Sequence, residues 1–101
     1  MILLEVIKSL SNQTRLSILE WLKEPFAHFP AEELADYSPD LGVCVSDIAK
    51  KARMSVPTVS VYLKTMLAAN ILIATRKDQW TYYKRNEASI QELAQHIKDN
   101  L

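Results

Sequence analysis

The side chains best placed to do chemistry are Val56, Thr58, Ser60, Val61, Lys64 and Thr65, which share one side of a helix that starts after Ser55. The chemistry they suit is recognition. Hydroxyls exchange hydrogen bonds with base edges, a valine methyl meets a thymine methyl, and an ammonium neutralises a phosphate. A rod with such a face fits the major groove of duplex DNA. Catalysis finds much less. His28, His96 and Cys44 lie far apart, Gly42 is the only glycine, and no phosphate-cradling loop or His pair beside a nucleophile occurs. The chain therefore reads as no enzyme.

Local signals define the elements that hold this face. Ser55 caps the helix, Pro57 sits in its first turn where a missing N–H is harmless, and Val59, Leu63, Met66 and Leu67 form its inner stripe. A shorter helix precedes it, Asp47 to Ala52, with Ser46 as cap and Ile48, Ala49 and Ala52 on one face. Residues 46–69 thus form a helix-turn-helix. Ala69-Asn70 ends the second helix, and a hairpin follows over 71–85. Its strands are Ile71–Thr75 and Thr81–Lys84, its tip Arg76-Lys-Asp-Gln-Trp80, and Asp78 its turn residue. A helix-turn-helix with a basic hairpin at its side is the winged-helix arrangement.

Net charge is zero, yet its distribution is uneven. Residues 50–85 hold Lys50, Lys51, Arg53, Lys64, Arg76, Lys77, Lys84 and Arg85 against Asp78 alone, a local charge of +7. Residues 1–49 carry eight acidic groups against three basic ones. A binding footprint is local, so the basic region matters more than the sum. Lys50, Lys51, Lys64, Arg76, Lys77 and Arg85 are the expected phosphate contacts. Thr58, Ser60 and Val61 are placed near base edges, and Val56, Pro57, Tyr62 and Gln79 complete the expected DNA-binding set. One cysteine excludes an internal disulfide and fits a reducing interior. Without a leader or an apolar run of about 20 residues, the expected place is the cytoplasm, away from membranes.

The remaining segments complete one expected domain, 1–101. A first helix, Ile2 to Leu10, has Leu3, Ile7 and Leu10 on one side, with Leu4 and Val6 widening the apolar surface. Ser11-Asn12 ends it and caps a second, Gln13 to Lys23, whose buried side is Leu16, Ile18, Leu19 and Leu22; Trp21 sits at its rim and Glu24-Pro25 stops it. The last helix, Glu87 to Asn100, repeats Ile90, Leu93, Ile97 and Leu101. These stripes serve either packing within the chain or a two-fold seam made by residues 1–11 and 87–101. The seam would place two reading helices about 34–36 Å apart. Residues 26–42 form a long connection, with Ala31–Tyr37 a short helix candidate. Phe26, Phe29 and Tyr37 staple it to the body, or else wall a small-molecule pocket with His28 and Cys44.

The order of elements and several sequence words resemble the ArsR (ArsR/SmtB-like) family of winged helix-turn-helix regulators. The words are Leu10-Ser-Asn-Gln-Thr-Arg-Leu-Ser-Ile-Leu19, Val43-Cys-Val-Ser-Asp-Ile48, Met54 to Lys64, and Thr75 to Tyr83. The resemblance implies a mainly α fold of about five helices with a two-stranded antiparallel wing, dimerising through its first and last helices. It further implies a homodimeric repressor on a palindromic operator, released by an inducer. Leu3, Leu4, Ile7, Leu10, Ile90, Leu93, Ile97 and Leu101 would then form the dimer interface. A winged helix that binds protein instead of DNA is the alternative.

Departures from the family's pattern carry expectations of their own. Val56-Pro57 stands where members commonly have Gln-Ser, and Tyr62 where they often have His. Val56 cannot bond adenine bidentately, so operator preference should differ. The wing tip lacks the usual glycine. Of the family's paired thiolates only Cys44 remains, with Ser46 in the second place, and Glu87-Ala88-Ser89 lacks the first imidazole of the other metal site. His96 and Asp99 fall one turn early, although Glu87 could meet them across a seam. The expected metal is none, and the expected cofactor is none.

Overall fold

The computed structural model describes residues 3–35 and 37–101. Among them are six α-helices and three short strands, plus a 3₁₀ turn at Ala31–Leu34. In chain order these are α1 (Leu3–Ser9), α2 (Gln13–Lys23), α3 (Pro25–His28), β1 (Val43–Cys44), α4 (Val45–Ala52), α5 (Val56–Ala68), β2 (Leu72–Lys77), β3 (Trp80–Arg85) and α6 (Glu87–Asn100). Ile2, the expected start of the first helix, lies outside the described residues.

Caps account for where the helices begin and end. The Asn12 side chain accepts from the Arg15 N–H at 3.1 Å, and Ser55 Oγ accepts from the Thr58 N–H at 3.3 Å. Such caps contribute about 1 kcal/mol each. The α4 cap differs from expectation. Cys44 holds the cap position without a side-chain bond, and Ser46 lies inside the first turn with its Oγ 3.4 Å from Cys44 Sγ. Arg53 and Asn70 close α4 and α5 in the left-handed conformation, with φ of 57° and 64°. In each case two backbone N–H groups turn back onto the last helical carbonyls (Met54 to Ala49, Ile71 to Met66), so no glycine is needed.

The sheet order is β1-β3-β2, all antiparallel. It has three strands where two were expected, because Val43 and Cys44 pair with Tyr83 and Tyr82 before α4 begins. The β2–β3 pairing runs to Lys77↔Trp80, so the loop is only Asp78-Gln79. Arg76, Lys77 and Trp80 are therefore strand residues instead of a five-residue tip. Asp78 takes φ 58°, the left-handed value a two-residue hairpin turn needs at its first position. Gly42 lies against the other side of β3. With φ +92°, a Cβ there would sit 2.0 Å from the Tyr83 carbonyl oxygen. Only glycine fits that approach.

One apolar cluster holds the elements together. Ile18, Ile48, Val59, Leu63, Met66 and Ile71 are completely buried in it, and Val6, Val43, Phe29 and Tyr83 close its edges. In α1 it is Val6 and Ser9 that face inward, not the Leu3–Ile7–Leu10 side, of which only Leu10 reaches the core. Leu16, expected in the buried side of α2, is exposed. The Arg15 side chain fastens α1 to α2 by donating to the Ser9 and Lys8 carbonyls at 2.7 and 3.3 Å.

The 26–42 connection is stapled by its aromatics. Phe29 is buried against the edge of Trp21, and the Phe26 and Tyr37 rings meet edge-on with centroids 5.3 Å apart. A single turn, α3, replaces the expected stop at Pro25. The expected helix at 31–37 is a 3₁₀ turn that ends at Leu34. Among the described residues no helix is long and apolar enough to cross a membrane.

Candidate nucleic-acid interface

Helix α5 is divided sharply between its two sides. Val59, Leu63 and Met66 have no exposed surface, while Val61 is 62% exposed, and Val56, Pro57, Thr58, Lys64 and Thr65 also face solvent. The division follows from one 3.6-residue period, which puts 59, 63 and 66 on the core and 58, 61, 64 and 65 opposite. Burying each of those three apolar chains contributes roughly 1.5–3 kcal/mol, so the rod stays anchored whatever its outward side carries. Thr58 Oγ1 accepts from Ser55 Oγ at 2.9 Å, and Thr65 Oγ1 donates to the Val61 carbonyl at 3.3 Å. Ser60 is half-buried at the edge of the face. Tyr62 is half-buried as well, and the Arg15 guanidinium stands 5.6 Å from its ring centroid. One side of that phenol therefore belongs to the contact between α2 and α5.

The wing offers Arg76, Lys77 and Gln79, all exposed at its end. Three other expected phosphate contacts are held elsewhere. Lys50 Nζ is 2.9 Å from Glu33 Oε1, and that hydrogen bond raises the pKa of the ammonium. Lys51 Nζ stands 5.6 Å from the centre of the Trp21 ring. The Arg85 side chain is only 11% exposed and grips both Glu87 oxygens, at 2.8 and 3.1 Å. Sequence distance hid the first two partners. The third was readable from the charge at 87.

The seam residues divide too. Leu10, Ile90 and Leu93 pack partly on the chain's own core, whereas Leu4, Ile7, Ile97 and Leu101 are exposed. Leu3, half-buried, lines a shallow groove with Glu92, Gln95 and His96, so the start of α1 lies near the second half of α6. Asp99 accepts from Gln95 Nε2 at 2.9 Å. Within the chain Glu87 is paired with Arg85. Among the described residues no three His, Cys, Asp or Glu side chains gather as metal ligands.

A junction that sequence reading missed ties α5 to α6. Asn86 Nδ2 donates to the Asn70 carbonyl oxygen and Oδ1 at 3.0 and 3.3 Å, and Asn70 Nδ2 donates to Ser89 Oγ at 3.2 Å. The Asn86 side chain also caps α6 by accepting from the Ser89 N–H. Asn at 70 and 86, each at a helix boundary, was the available signal.

The family model described as "Bacterial regulatory protein, arsR family" matches residues 43–74, from β1 into the first wing strand β2. The chain is also similar to the uncharacterized HTH-type transcriptional regulator YbzH of Bacillus subtilis (strain 168). They are 46% identical over 98 residues, 97% of each chain. This chain belongs to the arsR family of bacterial regulatory proteins. Solved structures agree on the winged helix-turn-helix fold. NolR from Sinorhizobium fredii superposes with a TM-score of 0.64 at 22% identity, over 95% of this chain and 80% of its own. The homodimeric DNA-binding domain Mb0332 from Mycobacterium bovis gives 0.61 at 22% identity, over 97% and 82%. Membership in the arsR family makes the chain a transcriptional regulator.

Proposed function

We propose that this arsR-family regulator acts in the cytoplasm as a homodimeric repressor on a palindromic operator. Helix α5 enters the major groove and the wing lies along the neighbouring backbone. The observation that carries this reading is the uncovered outer side of α5, a mixed face of methyl, hydroxyl and ammonium groups on a rod whose other side is anchored in the core. Thr58, Ser60 and Val61 read base edges, Val56 and Pro57 meet methyl groups near the helix start, and Tyr62 lies at the margin. Lys64, Arg76 and Lys77 hold phosphates, with Gln79 beside them. Lys50, Lys51 and Arg85 have internal partners and contribute little. Leu3, Leu4, Ile7, Ile97 and Leu101 form the seam, and Leu10, Ile90 and Leu93 support it from the core side.

A salt titration tests the reading. Three phosphates per protomer give six per dimer, so log affinity should fall with log salt at a slope of about −5. Fluorescence anisotropy with duplexes selected from random sequence measures it. A flat response would overturn DNA binding and favour a protein-binding winged helix.

A further inference from the structure

We propose that the cleft between Glu33, Leu34, Tyr37 and Gly42 on one side and the start of α4 and β3 on the other binds a small organic cation, an ammonium group with a compact apolar body. The cleft measures about 280 Å³. That is near the lower end of the ~300–1,000 Å³ typical of ligand pockets, a size for a small molecule.

The lining sets the chemical class. Trp80 and Tyr82 reach it from β3 and Tyr37 from the 26–42 connection, and Glu33 and Asp47 supply the charge. Among the described residues no Lys, Arg or His lines it. Aromatic rings attract a cation through their quadrupole, tryptophan most strongly, and a partly desolvated cleft strengthens the attraction. The two carboxylates are not equivalent. Glu33 is largely covered and bonded to Lys50, whereas Asp47 has no ion pair among the described residues. Burial, then the neighbouring Glu33, pushes the Asp47 carboxyl above its usual pKa, with Lys50 opposing weakly. Among the described residues Asp47 is thus the cleft carboxylate left without an ion pair, facing a space that an incoming cation could occupy. An anion would meet two like charges, and a neutral apolar molecule would strip water from Asp47 without replacing it.

The site stands apart from the DNA reading and is tested without DNA. Full-length protein is titrated with choline chloride, and separately with 3,3-dimethyl-1-butanol, its uncharged isostere, by calorimetry and tryptophan emission at constant ionic strength. Choline should saturate at one site per chain and bind at least about tenfold more tightly than the alcohol. Asp47→Asn and Trp80→Leu should each weaken choline by about tenfold or more. Trp80→Phe should retain binding while losing the emission change, which separates Trp80 from Trp21. Circular dichroism confirms that the variants are folded. Equal affinity for choline and the alcohol, absence of saturable choline binding, or unchanged binding in folded Asp47→Asn and Trp80→Leu would each overturn the proposal.

Discussion

Branched apolar side chains stand in solvent on two parts of the molecule, and their neighbours differ. On α5, Val56 and Val61 alternate with Thr58, Lys64 and Thr65. On α1 and the end of α6, Leu4, Ile7, Ile97 and Leu101 are larger and carry no hydroxyls between them. Exposure by itself does not tell the two apart. The interspersed groups separate them: a mixed polar face suits a wet, charged groove, while a leucine–isoleucine surface suits a second copy of itself.

The sharpest way to break this contrast is to charge the second surface. Ile7→Glu combined with Ile97→Glu should convert the dimer to monomer at micromolar concentration, read by sedimentation equilibrium. An unpaired buried charge costs about 3–5 kcal/mol, so the two together exceed what most seams of this kind can absorb. The monomer should keep its helical circular dichroism, because both positions are solvent-facing within one chain.

Lys64→Glu acts on the other surface. It should leave the dimer intact and lower duplex affinity by roughly a hundredfold, through two lost phosphate contacts and two new repulsions. Loss of dimerisation in this variant would merge the two surfaces into one.

A matched pair of arginine variants refines the first surface. Arg76→Ala should make the salt slope less steep by about 1.8 per dimer. Arg85→Ala should leave the slope unchanged and instead lower stability by about 1 kcal/mol, because the Arg85 side chain is largely covered and holds both oxygens of the more exposed Glu87. Denaturant melts and anisotropy separate the two outcomes.

Helices α2, α5 and α6 were readable because their signals are local. Asn12, Ser55 and Asn86 cap them, and apolar residues recur at helical spacing; α2 and α6 occupy the expected residues. What escaped reading is non-local. A two-residue strand such as β1 has no periodicity, and only its pairing with β3 reveals it. The partners of Lys50 and Lys51 lie 17 and 30 positions upstream, at Glu33 and Trp21, so their removal from the phosphate set could not be seen in a charge count. In α1 the inner side turned on Val6, since seven residues are too few to fix which apolar side faces inward.

The smallest expected effect concerns Asp47. Its folded pKa lies above the ordinary 3.8, so the folded chain holds the proton more tightly than the unfolded one. Stability from this group is therefore greatest below the unfolded value and declines as pH rises through the folded value. Asp47→Asn should remove that decline and slightly raise stability near neutrality, the effect being weakened by solvent screening. Thermal melts of both proteins across the carboxylate range measure the difference.

The bond set joining Asn70, Asn86 and Ser89 has a mechanical consequence. It leaves no slack between the far end of the reading rod and the first turn of the last helix. In a pair joined through α6, as proposed above, a change in the angle at which the copies meet would carry both rods with it. Operator spacing would be geared to the subunit angle by three short polar side chains.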